Sequence, residues 1–228
     1  KINNEMILNS DDLYHIKTVM RMKDNDEIIV VNNNVPYLCC LDSVNTNIKI
    51  IIKEQLDKIN NNIPYTRIIV PVLKEQKMDY ILQKATELGV EEIILYEANR
   101  SVVKIKDNID KKISRWQKIV KEASEQCHRN NIPNIMGIYK KDDLKDLDGL
   151  KILCSTREKM KNVKNVLKIH SICDKINIAI GPEGGLEDKE EEKFIEMNFI
   201  PTTLGNRIMR AETVPLFILS VINYEFME

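Results

Sequence analysis

Glycine is scarce in this chain of 228 residues: there are seven, yet Gly181, Gly184 and Gly185 fall within five positions of the stretch NIAIGPEGGLEDKE. That stretch has no P-loop Lys–Ser/Thr pair and no GxGxxG, and its Glu183 would repel an incoming phosphate, which excludes the usual polyphosphate cradle. Long uncharged apolar runs are missing as well, which excludes a membrane-spanning helix; 43% apolar and 30% charged residues describe a soluble globular chain. Five cysteines (Cys39, Cys40, Cys127, Cys154 and Cys173) form no CxxC pair and no zinc spacing. They are expected to be reduced core thiols in a cytoplasmic protein. His15, His128 and His170 have no metal-ligand spacing either, so no metal is expected. The chain begins at Lys1 rather than Met, which leaves a removed targeting segment open. No internal repeat or low-complexity tract stands out, and the scattered asparagines look like genome bias.

What is present is charge segregation beneath a net charge of −1. Between Arg100 and Asn130 nine Lys or Arg face four acids, whereas between Gly181 and Glu196 seven acids face two lysines. A basic region and an acidic helix on one molecule permit an RNA partner without establishing one.

Patterning divides the chain in two. In residues 10 to 22, SDDLYHIKTVMRM places Leu13, Ile16 and Met20 at helical spacing behind an N-cap Ser10. Three β-rich runs follow, EIIVV, VPYLCCL and IKIII, separated by asparagine-rich turns, as in a small antiparallel barrel or sheet. DKINNNIP, residues 57 to 64, is the expected linker, giving domains at 1–64 and 65–228. Beyond it strands alternate with helices: RIIVPVL, a helix with Met78, Ile81, Leu82, Ala85 and Leu88 on one face and Gly89 at its C-cap, VEEIILYEA, and a helix carrying Trp116 as a core residue. IMGIY, KILCS and INIAI complete an α/β series, which predicts a mostly parallel sheet covered on both faces.

Ligands of such sheets bind beyond the carboxyl ends of the strands, so a glycine-rich turn directly after NIAI stands in the right place. Glycines allow close backbone approach, Pro182 stiffens the turn, and a carboxylate favours a cationic ligand; a sulfonium cofactor such as S-adenosylmethionine fits. Twenty residues on, TTLGNRIMRAETVPLF sets Arg210 and Glu212 before an apolar helix, where an ion pair capping the helix start is the alternative role.

Six segments in order, HIKTVMRM, QKATELGVEEI, NRSVV, RWQKIVKEASEQCHRNNIP, IGPEGG and LGNRIMRAET, make the chain resemble the SPOUT-class methyltransferases that modify uridine N3 in 16S ribosomal RNA. The resemblance implies an N-terminal PUA-like β-barrel for RNA binding and a C-terminal parallel-sheet domain closed by a deep trefoil knot over about 150–228. It also implies S-adenosylmethionine as cofactor, the small ribosomal subunit as partner, and a homodimer. Carried over by position, it places the cofactor against Leu153, Cys154, Ile180, Gly181, Pro182, Glu183, Gly184, Gly185, Leu204, Gly205, Ile208 and Met209. RNA contacts fall on Arg21, Arg100, Ser101, Gln126 and Arg129.

Methylating N3 requires removing its proton or stabilising the imide anion, so Glu183 and Glu212 are candidate bases and Arg210 a partner for a uracil oxygen. Two rival readings stay open: a SPOUT enzyme acting on a ribose 2′-oxygen or another RNA, and a non-catalytic RNA-binding assembly factor. Where the family usually has serine, Glu187 stands before the acidic helix, and poorer capping is expected there.

Overall fold

The computed structural model describes residues 4–44, 47–57, 63–103 and 109–227. The chain forms two compact units, Lys1–Asn60 and Asn61–Glu228. The middle of the expected linker, 58–62, and part of the basic region, 104–108, lie outside the described residues.

In the first unit, strands β1 (Glu5–Met6), β2 (Glu27–Asn32), β3 (Val35–Val44) and β4 (Asn47–Gln55) form an antiparallel sheet in the order β1-β4-β3-β2. Helix α1 (Ser10–Tyr14) continues as a π turn over His15–Val19. Its cap is Asn9, not Ser10: the Asn9 backbone is extended and its Oδ1 accepts from the Asp12 N–H at 2.8 Å. Ile16 packs from this helix onto Cys39, Leu41 and Ile50 to form the core. Asn33 and Asn34 close the β2–β3 hairpin with φ of 50° and 60°, the geometry of a two-residue type I′ turn. Asn25 and Asn198 also have positive φ, so these asparagines take left-handed positions that a glycine-poor chain must fill otherwise.

The second unit is a parallel sheet in the order β10-β8-β9-β5-β6-β7. Its strands are β5 (Tyr65–Pro71), β6 (Glu92–Tyr96), β7 (Asn134–Tyr139), β8 (Leu150–Cys154), β9 (Lys175–Ile180) and β10 (Ile200–Thr202). Helices α2 (Glu75–Glu87), α3 (Ile109–Gln126), α4 (Val163–Ile169), α5 (Asp188–Glu196) and α6 (Val214–Phe226) join or follow them. Alternation along the strands builds two cores. Ile68, Val70, Ile152, Ile178 and Ile180 share one with α2, Trp116 and α6, whereas Ile69, Leu153 and Ala179 share the other with Phe194 of α5.

Beyond β10 the backbone is bonded to the loop that follows β8. Ser155 N donates to Thr202 O at 3.0 Å, Thr203 N to Lys161 O at 2.8 Å, and Val163 N to Thr203 O at 3.1 Å. The segment is therefore held at both ends of the 155–163 loop.

The turn between β9 and α5 is fixed by one buried carboxylate. Glu190, 3% exposed, pairs with the Lys141 ammonium and accepts N–H bonds from Asn99 at 2.9 Å and from Glu187 at 3.0 Å. The Glu187 bond is the reach-back half of a capping box, which supplies the N-terminal cap that Glu187 in place of serine put in doubt. The Glu187 carboxylate turns away to Asn99 Nδ2 at 2.9 Å and Arg100 Nε at 3.6 Å.

Burial pushes the Glu190 carboxyl up, but the Lys141 ammonium and the two N–H donors outweigh it and hold the group below its usual value. A depressed carboxyl contributes stability that is complete above the ordinary carboxylate range and is lost as pH falls through the folded value. Replacing Glu190 with Gln strands the Lys141 charge and is expected to cost about 3 kcal/mol at neutral pH; urea titrations should show the gap from wild type closing in acid. Phe194 is fully buried edge-on between Tyr96, at 5.7 Å, and Phe199, at 5.1 Å. Phe194→Ala should lose about 3–5 kcal/mol in the same titration.

Candidate functional site

Strands β5 and β9 are neighbours, and the chain leaves β5 toward β6 while β9 borders β8. The carboxyl ends of these strands form the crevice in which open α/β sheets bind ligands. The turn Gly181–Gly185 rises there from the end of β9. It closes with Gly185 N donating to Pro182 O at 2.9 Å, and Gly185 has φ +71°. Gly184 lies against Arg100, where a Cβ would come within 3.1 Å of the Arg100 Cβ, a close approach that glycine permits without displacing the neighbour. The Arg100 guanidinium also donates to Gly184 O at 3.4 Å.

The two carboxylates expected to face substrate meet on a lysine. Lys77 Nζ, from the first turn of α2, lies 3.2 Å from Glu183 Oε1 and 3.1 Å from Glu212 Oε2. One ammonium thus ties the turn after β9 to the segment before α6. The Glu212 Oε2 is buried and lacks a partner in hydrogen-bond geometry, although the Lys77 charge lies beside it. Burial pushes the Glu212 carboxyl up, but its own backbone N–H, Lys77 and the field of Arg210 outweigh this and leave it below the usual value. Glu212 is therefore ionised at neutral pH. The Glu183 side chain is 22% exposed, and Arg210 is an exposed residue. Ala211, buried between Arg210 and Glu212, anchors their segment in the core.

The remaining expected cofactor residues differ in the face and the exposure they have. Cys154 and Ile180 face the α2 and α6 side, whereas Leu153 points into the opposite core, leaving its backbone as the part near the strand ends. Desolvation pushes the Cys154 thiol up to about 12, so it stays neutral and acts as an apolar wall. The Ile180 carbonyl is occupied by the Tyr96 hydroxyl at 2.7 Å. Pro182 is buried, Gly181, Leu204 and Met209 are partly buried, and Gly205 is exposed with φ +124°. Ile208 is 80% exposed, an apolar side chain with little of its own fold to cover it. No atom lies within 4 Å of the Cβ positions of Gly185 and Gly205, so both faces are open. Apolar walls, open backbone and carboxylates fit an uncharged adenine and a sulfonium.

Of the expected RNA contacts, Arg21 is exposed in the first unit, and Arg100 and Gln126 are exposed in the second. Ser101 and Arg129 have other occupations. The Ser101 hydroxyl is buried and donates to Val72 O at 2.9 Å. The Arg129 guanidinium donates to Thr86 O at 2.8 Å and Val90 O at 2.7 Å and pairs with Glu91 at 3.2 Å, so its donors close the α2–β6 connection.

Lys77, Tyr96 and Glu190 were not singled out from sequence. Lys77 carried one signal: a cation in the first turn of the helix that follows the central strand, off the apolar face. Tyr96 carried none, because its partner is 84 residues away, and Glu190 carried only the capping-box spacing to Glu187, which says nothing of its Lys141 partner 49 residues away. Among the described residues no cluster of His, Cys, Asp or Glu could hold a metal ion, and no helix is long and apolar enough to cross a membrane.

Residues 60–223 match the family described as RNA methyltransferase domain, and residues 8–55 match the RNA methyltransferase PUA domain. The chain is 35% identical over 228 residues to ribosomal RNA small subunit methyltransferase E of Bacillus subtilis, covering 96% of this chain and 89% of that protein. It is 34% identical over 221 residues to the protein of the same name in Mesomycoplasma hyopneumoniae, covering 96% and 94%. The structure of a ribosomal RNA small subunit methyltransferase E from Neisseria gonorrhoeae bound to S-adenosyl methionine superposes with a TM-score of 0.87 at 26% identity, over 98% of this chain and 94% of that one. With the glycine turn and the segment before α6 brought together through Lys77 and both units matched along nearly their whole length, the chain belongs to the ribosomal RNA small subunit methyltransferase E family.

Proposed function

We infer that the protein is an S-adenosylmethionine-dependent methyltransferase of 16S ribosomal RNA that modifies N3 of a uridine. The observation that carries this reading is the meeting of Glu183 and Glu212 on Lys77 at the strand ends, in a chain aligned end to end with small-subunit methyltransferases. The backbone bonds that hold residues 202–203 to the 155–163 loop support the threaded, knotted arrangement implied by the resemblance.

The cofactor would lie against Leu153, Cys154, the Ile180–Gly185 turn, Leu204, Gly205, Ile208 and Met209, much of it through backbone, and its sulfonium supplies the methyl group. The protein's own residues handle the proton and the charge. A carboxylate of the Glu183–Glu212 pair takes the N3 proton, and the Arg210 guanidinium faces the oxygen on which imide charge builds. The uridine has to leave its stack to present N3 to the turn. Arg21, Arg100 and Gln126 would contact RNA, a reading their exposure supports. Arg129 and Ser101 act on it only by holding the scaffold.

We also propose a homodimer in the cytoplasm. The family resemblance supports the dimer, and five free thiols support the reducing compartment. Sedimentation velocity should return twice the mass of the 228-residue chain.

The direct test incubates the protein, labelled S-adenosylmethionine and small ribosomal subunits lacking the modification, then locates the methyl group by mass spectrometry. Label on N3 of a single uridine is expected; label on a ribose oxygen or on no RNA refutes the assignment. Arg210→Ala should lower kcat by at least about 100-fold with an unchanged melting curve. Turnover at the wild-type level would remove Arg210 from the mechanism.

A further inference from the structure

We propose that Lys77 is a positioning residue of this reaction, whose ammonium spans Glu183 and Glu212 and holds the cofactor turn and the Arg210–Glu212 segment at one spacing. The inference rests on the methyl-transfer reading.

Its basis is geometric. Glu183 and Glu212 belong to different segments, 29 residues apart in sequence, and the two ion pairs of Lys77, at 3.2 and 3.1 Å, bridge them. Both carboxylates reach the same nitrogen, so they stand at most about 6 Å apart, a range over which two negative charges oppose each other's ionisation. Removing the cation lets each charge oppose the other's ionisation more strongly, and a protonated carboxyl cannot accept the N3 proton.

The other charges around Lys77 do not replace it. Among the described residues, Arg210 influences Glu212 from the solvent side, while Asp79 and Glu75 on α2 are paired with Arg115. Arg100 is directed to Glu187 and Gly184 O. Lys77 is thus the cation in contact with both acids. Its own pKa is raised, chiefly by Glu212 and then by Glu183, so it stays charged throughout the working range.

Lysine also suits the geometry, because a compact ammonium carries several donors that can point to separate carboxylates. The two ion pairs of the Lys77 ammonium are both with carboxylates. It acts through the two acids, which separates its effect from that of Arg210.

The test compares wild type, Lys77→Arg and Lys77→Met in the small-subunit assay across pH, with calorimetry of S-adenosylmethionine binding. Lys77→Met should lower kcat by about 100-fold, the scale of losing a general base, and move the acid limb of the kcat profile to higher pH by about one unit. Cofactor affinity should stay within about threefold, because the turn's backbone remains clamped by Glu190. Lys77→Arg should recover most of kcat and return the acid limb to its wild-type position.

A Lys77→Met enzyme with wild-type kcat overturns the proposal. So does one whose kcat falls with the acid limb unmoved, or a Lys77→Arg variant as impaired as Lys77→Met. These outcomes are separate from failure of the underlying reading, which would appear as a wild-type protein that binds the cofactor and methylates no ribosomal uridine.

Discussion

Glu190 is the point on which the catalytic end of the second unit depends. A carboxylate 3% exposed is stable only if its oxygens are filled, and here they are filled by Lys141, the Asn99 N–H and the Glu187 N–H. Those partners come from the end of β7, the loop after β6, and the start of α5. One buried charge therefore joins three connections and sets where the glycine turn can sit. The Gly184 contact with Arg100 follows from it, because the same loop that gives Glu190 a backbone N–H also presses Arg100 against the turn.

From this anchored turn the site extends by opposite charge. Glu183 leaves the turn toward Lys77, and Lys77 reaches on to Glu212 beside Arg210. Anion and cation alternate along this row, so among the described residues Lys77 stands between the two carboxylates. Cys154 and Leu204 pack against the apolar core of this unit and Ile208 is exposed, which adds apolar side chains to the charged ones. Neither half alone would bind a sulfonium nucleoside: the walls offer no charge, and the charges offer no slot.

Much of this was legible from residues alone. Strand and helix order, the two-part division, Trp116 in the core and the glycine turn after β9 each follow from periodicity and turn chemistry, which act over a few residues. The 202–217 segment and the expected RNA contacts came from resemblance, and the tertiary structure gives two of those expected contacts bonds within the fold. Ser101 and Arg129 share motifs with exposed residues, yet each faces backbone carbonyls of a connection that would otherwise be left unbonded. The cap of α1 moved by one residue to Asn9 because any short polar side chain in an extended residue can take that place. The asparagine-rich turn between β2 and β3 was legible, whereas the left-handed conformation of the isolated Asn198 was hidden by the scatter of this residue type.

Sequence by itself determined what is local or shared by family: an antiparallel unit followed by a parallel α/β unit, a turn unsuited to phosphate, and two acids with an arginine in the segments around it. Only the tertiary structure decided that Lys77 stands between those acids, that Tyr96 occupies the Ile180 carbonyl, and that Glu190 is buried beneath the turn. The reason is distance along the chain. Lys77 meets partners 106 and 135 residues away in sequence, and no periodicity or spacing specifies a contact that the order of strands in the sheet creates.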